Sequence, residues 1–207
     1  MSHDPATLAF YGREAAAYAA RSRRAENAVL SEFLLQLRPG ADVLDLGCGG
    51  GQDAQAIKQA GFRLTASDGS PELAAQAERR IGQPVRVQLF EALDDVEAFD
   101  AVWANASLLH VPKRSLAGIF AAILRALKPD GLFYASFKSG GVEGRDGLGR
   151  YYNHPSKDEL AAALPAPGWR DLTVRDSEGP GYDGVVTSWL FVAARKASPL
   201  ANPGMSG

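Results

Sequence analysis

A cluster of glycines follows a short apolar run and gives the first sign of a ligand site. The run 43–46 leads directly into Gly47-Cys48-Gly49-Gly50-Gly51. Glycine adopts positive φ at no steric cost and lets a ligand approach the backbone closely. In open α/β sheets the turn after the first strand is a common contact point for nucleotides. This segment therefore predicts a turn that holds a nucleoside-containing ligand.

Two carboxylates narrow the class of ligand. A dinucleotide fingerprint would place its third glycine at position 52, where the chain has Gln52. Asp45 precedes the first glycine by two residues, and its charge would repel a pyrophosphate but attract an ammonium group. Asp68 ends a second apolar run, where a carboxylate can accept hydrogen bonds from ribose hydroxyls. The pattern favours an amino-acid-bearing nucleoside.

Further side chains could act on an acceptor, although a dedicated acid or base is optional. If the acceptor must lose a proton, His110 is the best candidate for a general base, because it follows the fourth predicted strand and histidine titrates near neutrality. The alternative is that His110 only caps a helix or bonds a backbone carbonyl. Lys138, Arg150 and Tyr152 lie in and after a glycine-rich loop, so they are candidates for substrate contact. Cations there would favour an anionic small substrate, although they could also be solvated loop charges.

The elements that must position these residues alternate between strand and helix, which indicates a parallel sheet covered by helices on both faces. Residues 5–38 are predicted to be helical, and a capping box at 156–159 opens a short helix. Two late strands without a helix between them predict an antiparallel pair at the sheet edge. The predicted strands are 43–46, 62–67, 85–90, 99–104, 132–137, 172–177 and 187–195.

The combination of 43–51, Asp68, 99–102 and 108–111 closely resembles the class I S-adenosylmethionine-dependent methyltransferases over residues 30–195. That resemblance implies an α/β fold, a Rossmann-like three-layer α/β/α sandwich with a seven-stranded, mostly parallel sheet. Its implied strand order is 3-2-1-4-5-7-6, with the last strand antiparallel. It also implies S-adenosyl-L-methionine as cofactor, S-adenosyl-L-homocysteine as product, and methyl transfer to a small-molecule acceptor by in-line displacement.

The resemblance also implies which residues bind the cofactor. Many family members have an acidic residue beside the adenine, where this chain has Leu89-Phe90, so Phe90 would contact the adenine by stacking or through its backbone. Tyr11 and Tyr18 would shield the sulfonium, or alternatively would only pack the N-terminal helix onto the sheet. The predicted cofactor-binding residues are Tyr11, Tyr18, Asp45, Gly47, Cys48, Gly49, Gly51, Asp68, Gly69, Phe90, Glu91 and Ala104.

The wider pattern resembles small bacterial tellurite-resistance-like methyltransferases and the related type 11 and type 12 groups, without implying that tellurite is the acceptor. Residues 104–107 lack the Asn/Asp-Pro-Pro-aromatic motif of enzymes that methylate adenine amines, which lowers the expectation of a DNA substrate. We expect an N-terminal helical segment over the cofactor at 1–38, a methyltransferase domain at 39–196 and a flexible tail at 197–207.

Composition limits the partners. The chain has 207 residues, 22 Lys and Arg against 24 Asp and Glu, three His and a single cysteine, Cys48. We expect a cytoplasmic protein with no metal, nucleic-acid or membrane partner, and the oligomeric state stays open. Two other functions remain: a non-catalytic S-adenosylmethionine-binding regulatory domain and an NAD(P)-dependent Rossmann oxidoreductase. Asp45 and Gln52 argue against the second.

Overall fold

A mixed sheet of seven strands forms the centre of the fold. The computed structural model describes residues 3–21, 27–165, 167–181 and 184–198. The sheet order is 3-2-1-4-5-7-6, and only the seventh strand runs antiparallel to its two neighbours. This confirms the predicted fold class and topology. The strands are β1 (Asp42–Leu46), β2 (Arg63–Asp68), β3 (Arg86–Val87), β4 (Phe99–Ala104), β5 (Leu127–Lys138), β6 (Trp169–Pro180) and β7 (Val186–Lys196).

Helices cover both faces of this sheet. Ser70 caps the helix Pro71–Ile81 through a hydrogen bond from Leu73 N, and Pro71 takes the first helical position, as predicted. The predicted capping box at Ser156 and Glu159 is also present. The helices are α1 (Pro5–Arg13), α2 (Ala15–Ala20), α3 (Ala28–Leu34), α4 (Gln52–Gln59), α5 (Pro71–Ile81), α6 (Lys113–Ala126) and α7 (Lys157–Ala163), with 3-10 turns at Phe90–Ala92 and Leu108–His110.

The N-terminal segment is not one continuous helix. Glu14 separates α1 from α2, and the side chain of Asn27 caps a new helix, α3, by accepting a hydrogen bond from Leu30 N. Asp4 caps α1 in the same way from Thr7 N, with Pro5 following it. These breaks let α1 and α2 turn toward the sheet edge while α3 packs on its face. Residues 1–2, 22–26 and 199–207 of the predicted end segments lie outside the described residues.

Two strand boundaries also differ from the prediction. The third strand covers only Arg86–Val87, and the chain then turns so that Leu89 and Phe90 leave the ladder for a 3-10 turn. The fifth strand begins earlier than predicted, because Leu127 pairs with Phe99 before an irregularity in the register brings Leu132 opposite Ala101. A local propensity argument misses both changes, since they depend on neighbouring strands.

The core lies on both sides of the sheet. One face packs α6 and α7 against β4 and β5, with Phe120 and Phe133 fully buried. The other face packs α3 and α4 around Trp103, whose ring stacks on Tyr134 at 4.2 Å. Among the described residues, no helix is both long and apolar enough to span a membrane.

Candidate active site

A cleft opens at the carboxyl edge of the sheet, where β1, β2 and β4 end. It contains about 690 Å³ of empty space, counting the part that is open to solvent. α1 and α2 form its outer wall. The lining residues are His3, Asp4, Thr7, Leu8, Tyr11, Tyr18, Gly47, Gly49, Asp68, Gly69, Ser70, Leu73, Gln88, Leu89, Phe90, Ala106, Ser107 and His110.

The glycine turn forms the floor of this cleft. Gly47 and Gly49 have φ of 81° and 56°, a region that favours glycine. A Cβ added at Gly47 would lie 2.5 Å from Ser107 Cβ, and one at Gly49 would lie 3.0 Å from the Tyr18 ring. The N–H groups of Gly47 and Cys48 both donate to Ser67 O, which fixes the turn to the end of β2. Glycine is therefore required here by conformation and by space.

Asp68 lies at the wall of the cleft in a fixed orientation. Its Oδ2 accepts a hydrogen bond from Gly49 N at 2.8 Å, and its Oδ1 accepts one from Ser70 N at 2.9 Å. Burial raises the pKa of Asp68, and these two hydrogen bonds oppose that shift. Each carboxylate oxygen keeps acceptor capacity beyond its backbone amide, so the side chain can also receive ligand hydroxyls.

The chain that follows β3 supplies the far side of the cleft. Gln88, Leu89 and Phe90 line it, and the Phe90 ring lies within 3.3 Å of the Cβ position at Gly47. Glu91 is exposed and instead bonds the ring of His3 at 2.8 Å. The structure therefore brings Phe90 to the cleft but not Glu91, which ties the start of α1 to this side.

The two N-terminal tyrosines lie together above the glycine turn. The rings of Tyr11 and Tyr18 meet edge to face, with centroids 5.3 Å apart. α1 is held over the cleft because Asp4 pairs with Arg145 and Thr7 Oγ1 accepts Tyr151 N at 2.8 Å. Both partners come from a small ribbon, Gly144–Arg145 paired with Tyr151–Tyr152, in and just after the predicted glycine-rich loop.

His110 lies at the β4 side of the cleft with both ring nitrogens bonded. Nδ1 is 2.6 Å from Tyr151 O, and Nε2 is 3.0 Å from the Tyr11 hydroxyl. Burial lowers the pKa of His110 from 6.5 to about 4, and the charges of Arg150 and Lys138 act in the same direction. The hydrogen bond to Tyr151 and the charge of Asp146 oppose the shift. The ring is therefore neutral near pH 7.

The three predicted substrate-binding residues lie behind His110 and do not line the cleft. They are Lys138, Arg150 and Tyr152. Tyr152 is buried with its ring centroid 4.7 Å from that of His110. The ammonium of Lys138 lies 4.4 Å from the Tyr152 ring centroid, and the guanidinium of Arg150 lies 5.3 Å from it. Arg150 is only 3% exposed and pairs with Asp146. These cations are held by the protein itself, and their assignment to substrate stays a prediction.

A turn after β4 completes the wall, and in the sequence this segment stood out only because it lacks the Asn/Asp-Pro-Pro-aromatic motif. Ala106 has a φ of 51°, uncommon for a residue with a side chain. Its N–H donates to Ser136 Oγ at 2.7 Å, and that hydroxyl donates to Asn105 Oδ1 at 2.7 Å. Asn105 Nδ2 in turn donates to the buried Asp53 at 3.0 Å. The strained turn is stabilised by this side-chain network.

The remaining predicted cofactor residues lie away from the cleft surface. Asp45 and Ala104 are buried within β1 and β4. Cys48 packs in an apolar cluster between α4 and α5, where burial raises the pKa of its thiol. Gly51 is needed because an added Cβ would lie 3.0 Å from Ala77 of α5. Within the described ranges, no group of histidine, cysteine and acidic residues could hold a metal ion.

Comparison with known proteins identifies the sheet and its turn. A family model described as a methyltransferase domain matches residues 43–131, which span the glycine turn, Asp68 and His110. The ubiquinone biosynthesis O-methyltransferase of Xanthomonas campestris pv. campestris is 39% identical over 105 residues, which cover 47% of this chain and 43% of that protein. The chain thus spans about half the length of the curated relatives that it matches.

Two solved structures share the fold over most of the chain. A SAM-dependent methyltransferase from Methanosarcina mazei aligns with a TM-score of 0.73 and 19% identity, over 84% of this chain and 99% of that one. The 1,6-didemethyltoxoflavin-N1-methyltransferase of Burkholderia thailandensis, solved with 1,6-didemethyltoxoflavin and S-adenosylhomocysteine, aligns with a TM-score of 0.67 and 28% identity, over 90% and 83%. The glycine turn, the strand order and the match over residues 43–131 support the class I S-adenosylmethionine-dependent methyltransferase family, and the fold shared with these structures agrees with it.

Proposed function

We propose that the protein transfers a methyl group from S-adenosylmethionine to a small-molecule acceptor. The observation that carries this proposal is the meeting of the Gly47–Gly49 turn and Asp68 in one cleft that also reaches His110. The first two features suit a nucleoside, and the third could take a proton from an acceptor that must lose one. The named activities of the matched relatives support the same proposal.

The residues present fit S-adenosylmethionine. The bare backbone at Gly47 and Gly49 gives the close approach that its methionine part requires. Asp68, fixed by two amides, has acceptor capacity for the ribose hydroxyls, and Gly69 lies beside it in the cleft. Phe90 offers a ring face to the adenine, in place of the acidic residue found in many relatives. The cofactor would supply an activated methyl group on a sulfonium.

The protein's own part is to align the acceptor and to exclude water. Holding two reactants in line in a closed site can lower the barrier by about 7–11 kcal/mol. The rings of Tyr11 and Tyr18 close the cleft above the turn, and aromatic faces attract a sulfonium charge. We propose that α1 and α2, within the N-terminal segment expected at 1–38, act as the cover of the site and that residues 39–196 form the catalytic domain.

A non-catalytic binding domain is the second candidate. It would need only the turn and Asp68, whereas this cleft also includes a buried neutral histidine in a defined tautomer.

A small acceptor fits better than nucleic acid, since the formal net charge is −2 and, of the residues described, no lysine or arginine lines the cleft.

Two measurements test the proposal. S-adenosylhomocysteine should bind the wild-type protein in a calorimetric titration, and Asp68→Asn should weaken that binding about 10- to 100-fold, because a charged acceptor of two hydrogen bonds is lost. Asp95→Asn is the matched control, as Asp95 pairs with Arg86 away from the cleft. Incubation with methyl-labelled donor and a metabolite extract should then label a small molecule. Binding without any labelled acceptor would favour the regulatory domain instead.

A further inference from the structure

The turn that follows β4, residues 105–107, lies between the glycine turn and the side of the cleft that contains His110. We infer, on the basis of the proposed function, that Asn105 is a positioning residue for methyl transfer, which Asp53 and Ser136 hold so that this β4 turn keeps donor and acceptor in line. Three observations support the inference: the place of the β4 turn, its strained backbone, and the direction of the hydrogen bonds behind it.

The β4 turn contacts both sides of the cleft, which it lines with Ala106 and Ser107. Ser107 Cβ lies 2.5 Å from the position that a Cβ would take at Gly47. Ser107 Oγ donates to Leu46 O at 2.7 Å, and Ser107 O accepts a hydrogen bond from His110 N at 3.3 Å. A displacement of the β4 turn would therefore change the distance between the glycine turn and the groups that face an acceptor.

The backbone of the β4 turn needs support from outside the turn. Ala106 has a φ of 51°, which is unfavourable for a residue with a Cβ. Such a conformation persists where the surrounding structure holds it, and it occurs most often at functional sites. The side chains that hold Ala106 come from behind the wall, since Asn105, Ser136 and Asp53 do not line the cleft.

The hydrogen bonds run in one direction and define what residue 105 must be. Ala106 N can only donate, so Ser136 Oγ accepts from it at 2.7 Å and donates its own hydrogen to Asn105 Oδ1 at 2.7 Å. Asn105 Nδ2 then faces Asp53 Oδ2, to which it donates at 3.0 Å. Residue 105 must therefore accept at one end and donate at the other, which an amide does and an ionised carboxylate cannot do.

Asp53 joins this network to the glycine turn. It is buried in the first turn of α4, two residues after the glycine turn ends, where the helix dipole favours a carboxylate. Trp103 Nε1 also donates to it at 2.9 Å, and Asn27 Nδ2 donates at 3.4 Å. The glycine turn and the β4 turn thus share one buried anchor. Because a misplacement of about 1 Å can lower a rate about 100-fold, loss of Asn105 should act on the rate of transfer.

The first test is Asn105→Asp, assayed with the acceptor identified by labelled-donor incubation. A protonated carboxyl can donate to Asp53 and accept from Ser136, as the amide does, whereas an ionised one would face Asp53 with a like charge. Relative to wild type at the same pH, kcat should be about 10- to 100-fold lower at about pH 8.5 and should recover at least about fivefold by about pH 5.5.

The surroundings of residue 105 support this direction. The titratable groups that contact or act on the network are Asp53 of α4, Tyr134 of β5 and Arg175 of β6. Burial raises the pKa of Tyr134, so Asp53 is the like charge that the new carboxyl meets, and the charge of Arg175 opposes it. A kcat within about twofold of wild type at about pH 8.5, or a loss that does not change with pH, would overturn the inference.

The second test separates positioning from support of the fold. Ser136→Ala, which breaks the same network without adding a charge, should also lower kcat about 10- to 100-fold. In both variants the dissociation constant for S-adenosylhomocysteine should change less than about threefold, since Gly47 and Asp68 remain in place. A loss of S-adenosylhomocysteine affinity large enough to account for the lower rate would overturn the inference.

Asn27→Ala is the matched control, because it removes another hydrogen bond to Asp53 together with the cap of α3. It should lower the urea midpoint of unfolding, as a lost cap does, while kcat stays within about twofold of wild type. A loss of kcat in Asn27→Ala as large as that in Asn105→Asp would show that Asn105 acts only through stability, and the inference would be wrong.

The outcomes separate the two proposals. If S-adenosylhomocysteine does not bind the wild-type protein, the proposed function fails. If it binds and an acceptor is methylated, but Asn105→Asp and Ser136→Ala retain kcat within about twofold, the proposed function stands and the role of Asn105 is wrong.

Discussion

The two halves of the cleft are built in opposite ways. The donor half consists of contiguous segments that end adjacent parallel strands, the turn at 47–51 and the residues from Asp68 to Ser70, and it relies on backbone conformation. The acceptor half is assembled from α1, the segment before α6 and the ribbon at 144–152, and it relies on side chains that bond one another across long sequence separations. One half is specified locally and the other by tertiary contacts.

This difference separates what the family shares from what this chain adds. A backbone cradle tolerates few substitutions, because Gly47 and Gly49 are required by both φ and space. Side chains at the acceptor half can change without altering the sheet, so specificity can vary there. We therefore expect substitutions in the donor half to lower both the stability of the protein and its affinity for the cofactor. Substitutions in the acceptor half should change one of these two properties without the other.

The largest effect is expected for Gly47→Ala. Positive φ costs alanine about 1–2 kcal/mol, and the contact with Ser107 at 2.5 Å adds a further overpacking cost of about 1–3 kcal/mol. Urea unfolding should show a loss of stability equal to the sum of these two costs, and S-adenosylhomocysteine binding should be lost. Gly61→Ala is the matched control, because Gly61 has a φ of 85° but no described atom within 4 Å of its Cβ position. Equal losses in both variants would contradict a steric role for Ser107.

A smaller effect is expected from the charge state of His110. Its pKa is about 4 in the folded protein, below the ordinary histidine value of 6.5 that applies to the unfolded chain. The unfolded chain therefore binds the proton more readily, and stability falls as the pH drops through this range. From about pH 7 to about pH 5 this loss should be about 2 kcal/mol, measured by urea unfolding at each pH. His110→Gln should remove that part of the pH dependence, and an unchanged slope would show that another group causes it.

The smallest effect is expected where α1 is tied to the ribbon. Burial opposes the charge of Asp4, but hydrogen bonds from Arg145 and Thr7 outweigh it and lower the pKa to about 2. The stability from this pair is present above the ordinary pKa of 3.8 and is lost as the pH falls toward about 2. Asp4→Asn keeps the helix cap but breaks the ion pair, so it should cost under about 1 kcal/mol.

The measurement for this variant is amide hydrogen exchange in α1. Asp4→Asn should speed exchange in α1 only, while Asp4→Ala, which also removes the cap, should add about 1 kcal/mol of destabilisation. Faster exchange throughout the sheet in Asp4→Asn would contradict the local role of this contact.

Much of the fold could be predicted from the sequence, because the strands and the antiparallel edge pair follow from local signals, whereas the strand order came from the family resemblance. The spacing of apolar residues, the glycine turns and the capping residues predict every strand of the seven-stranded sheet. The predicted ends of β4 are the observed ones. The 85–90 strand was predicted too long, since only pairing with β2 limits it to Arg86–Val87. The helical segment at 5–38 was predicted without its breaks, although Asp4-Pro5 and Asn27 are capping signals that could have indicated them.

The site was predictable to a different extent in each half. Gly47, Gly49, Asp68 and Phe90 line the cleft as the motif implied. The sequence also singled out Tyr11 and His110, but the hydrogen bond between them joins residues 99 positions apart. Ala106 carries no sequence signal for its positive φ, which arises from the network through Ser136. Nor does sequence show that Lys138 and Arg150 contact Tyr152 instead of the cleft.

The shortness of α1 and α2 affects how any ligand is held. They contain nine and six residues, lengths at which isolated helices are unstable in water, so their order depends on what they cover. Arg80 of α5 strengthens this dependence, because its guanidinium donates to both Gly50 O and Ala19 O and thus joins the end of α2 to the glycine turn. An apparent dissociation constant for the cofactor therefore includes the free energy of ordering the N-terminal wall, and the release rate includes its local unfolding.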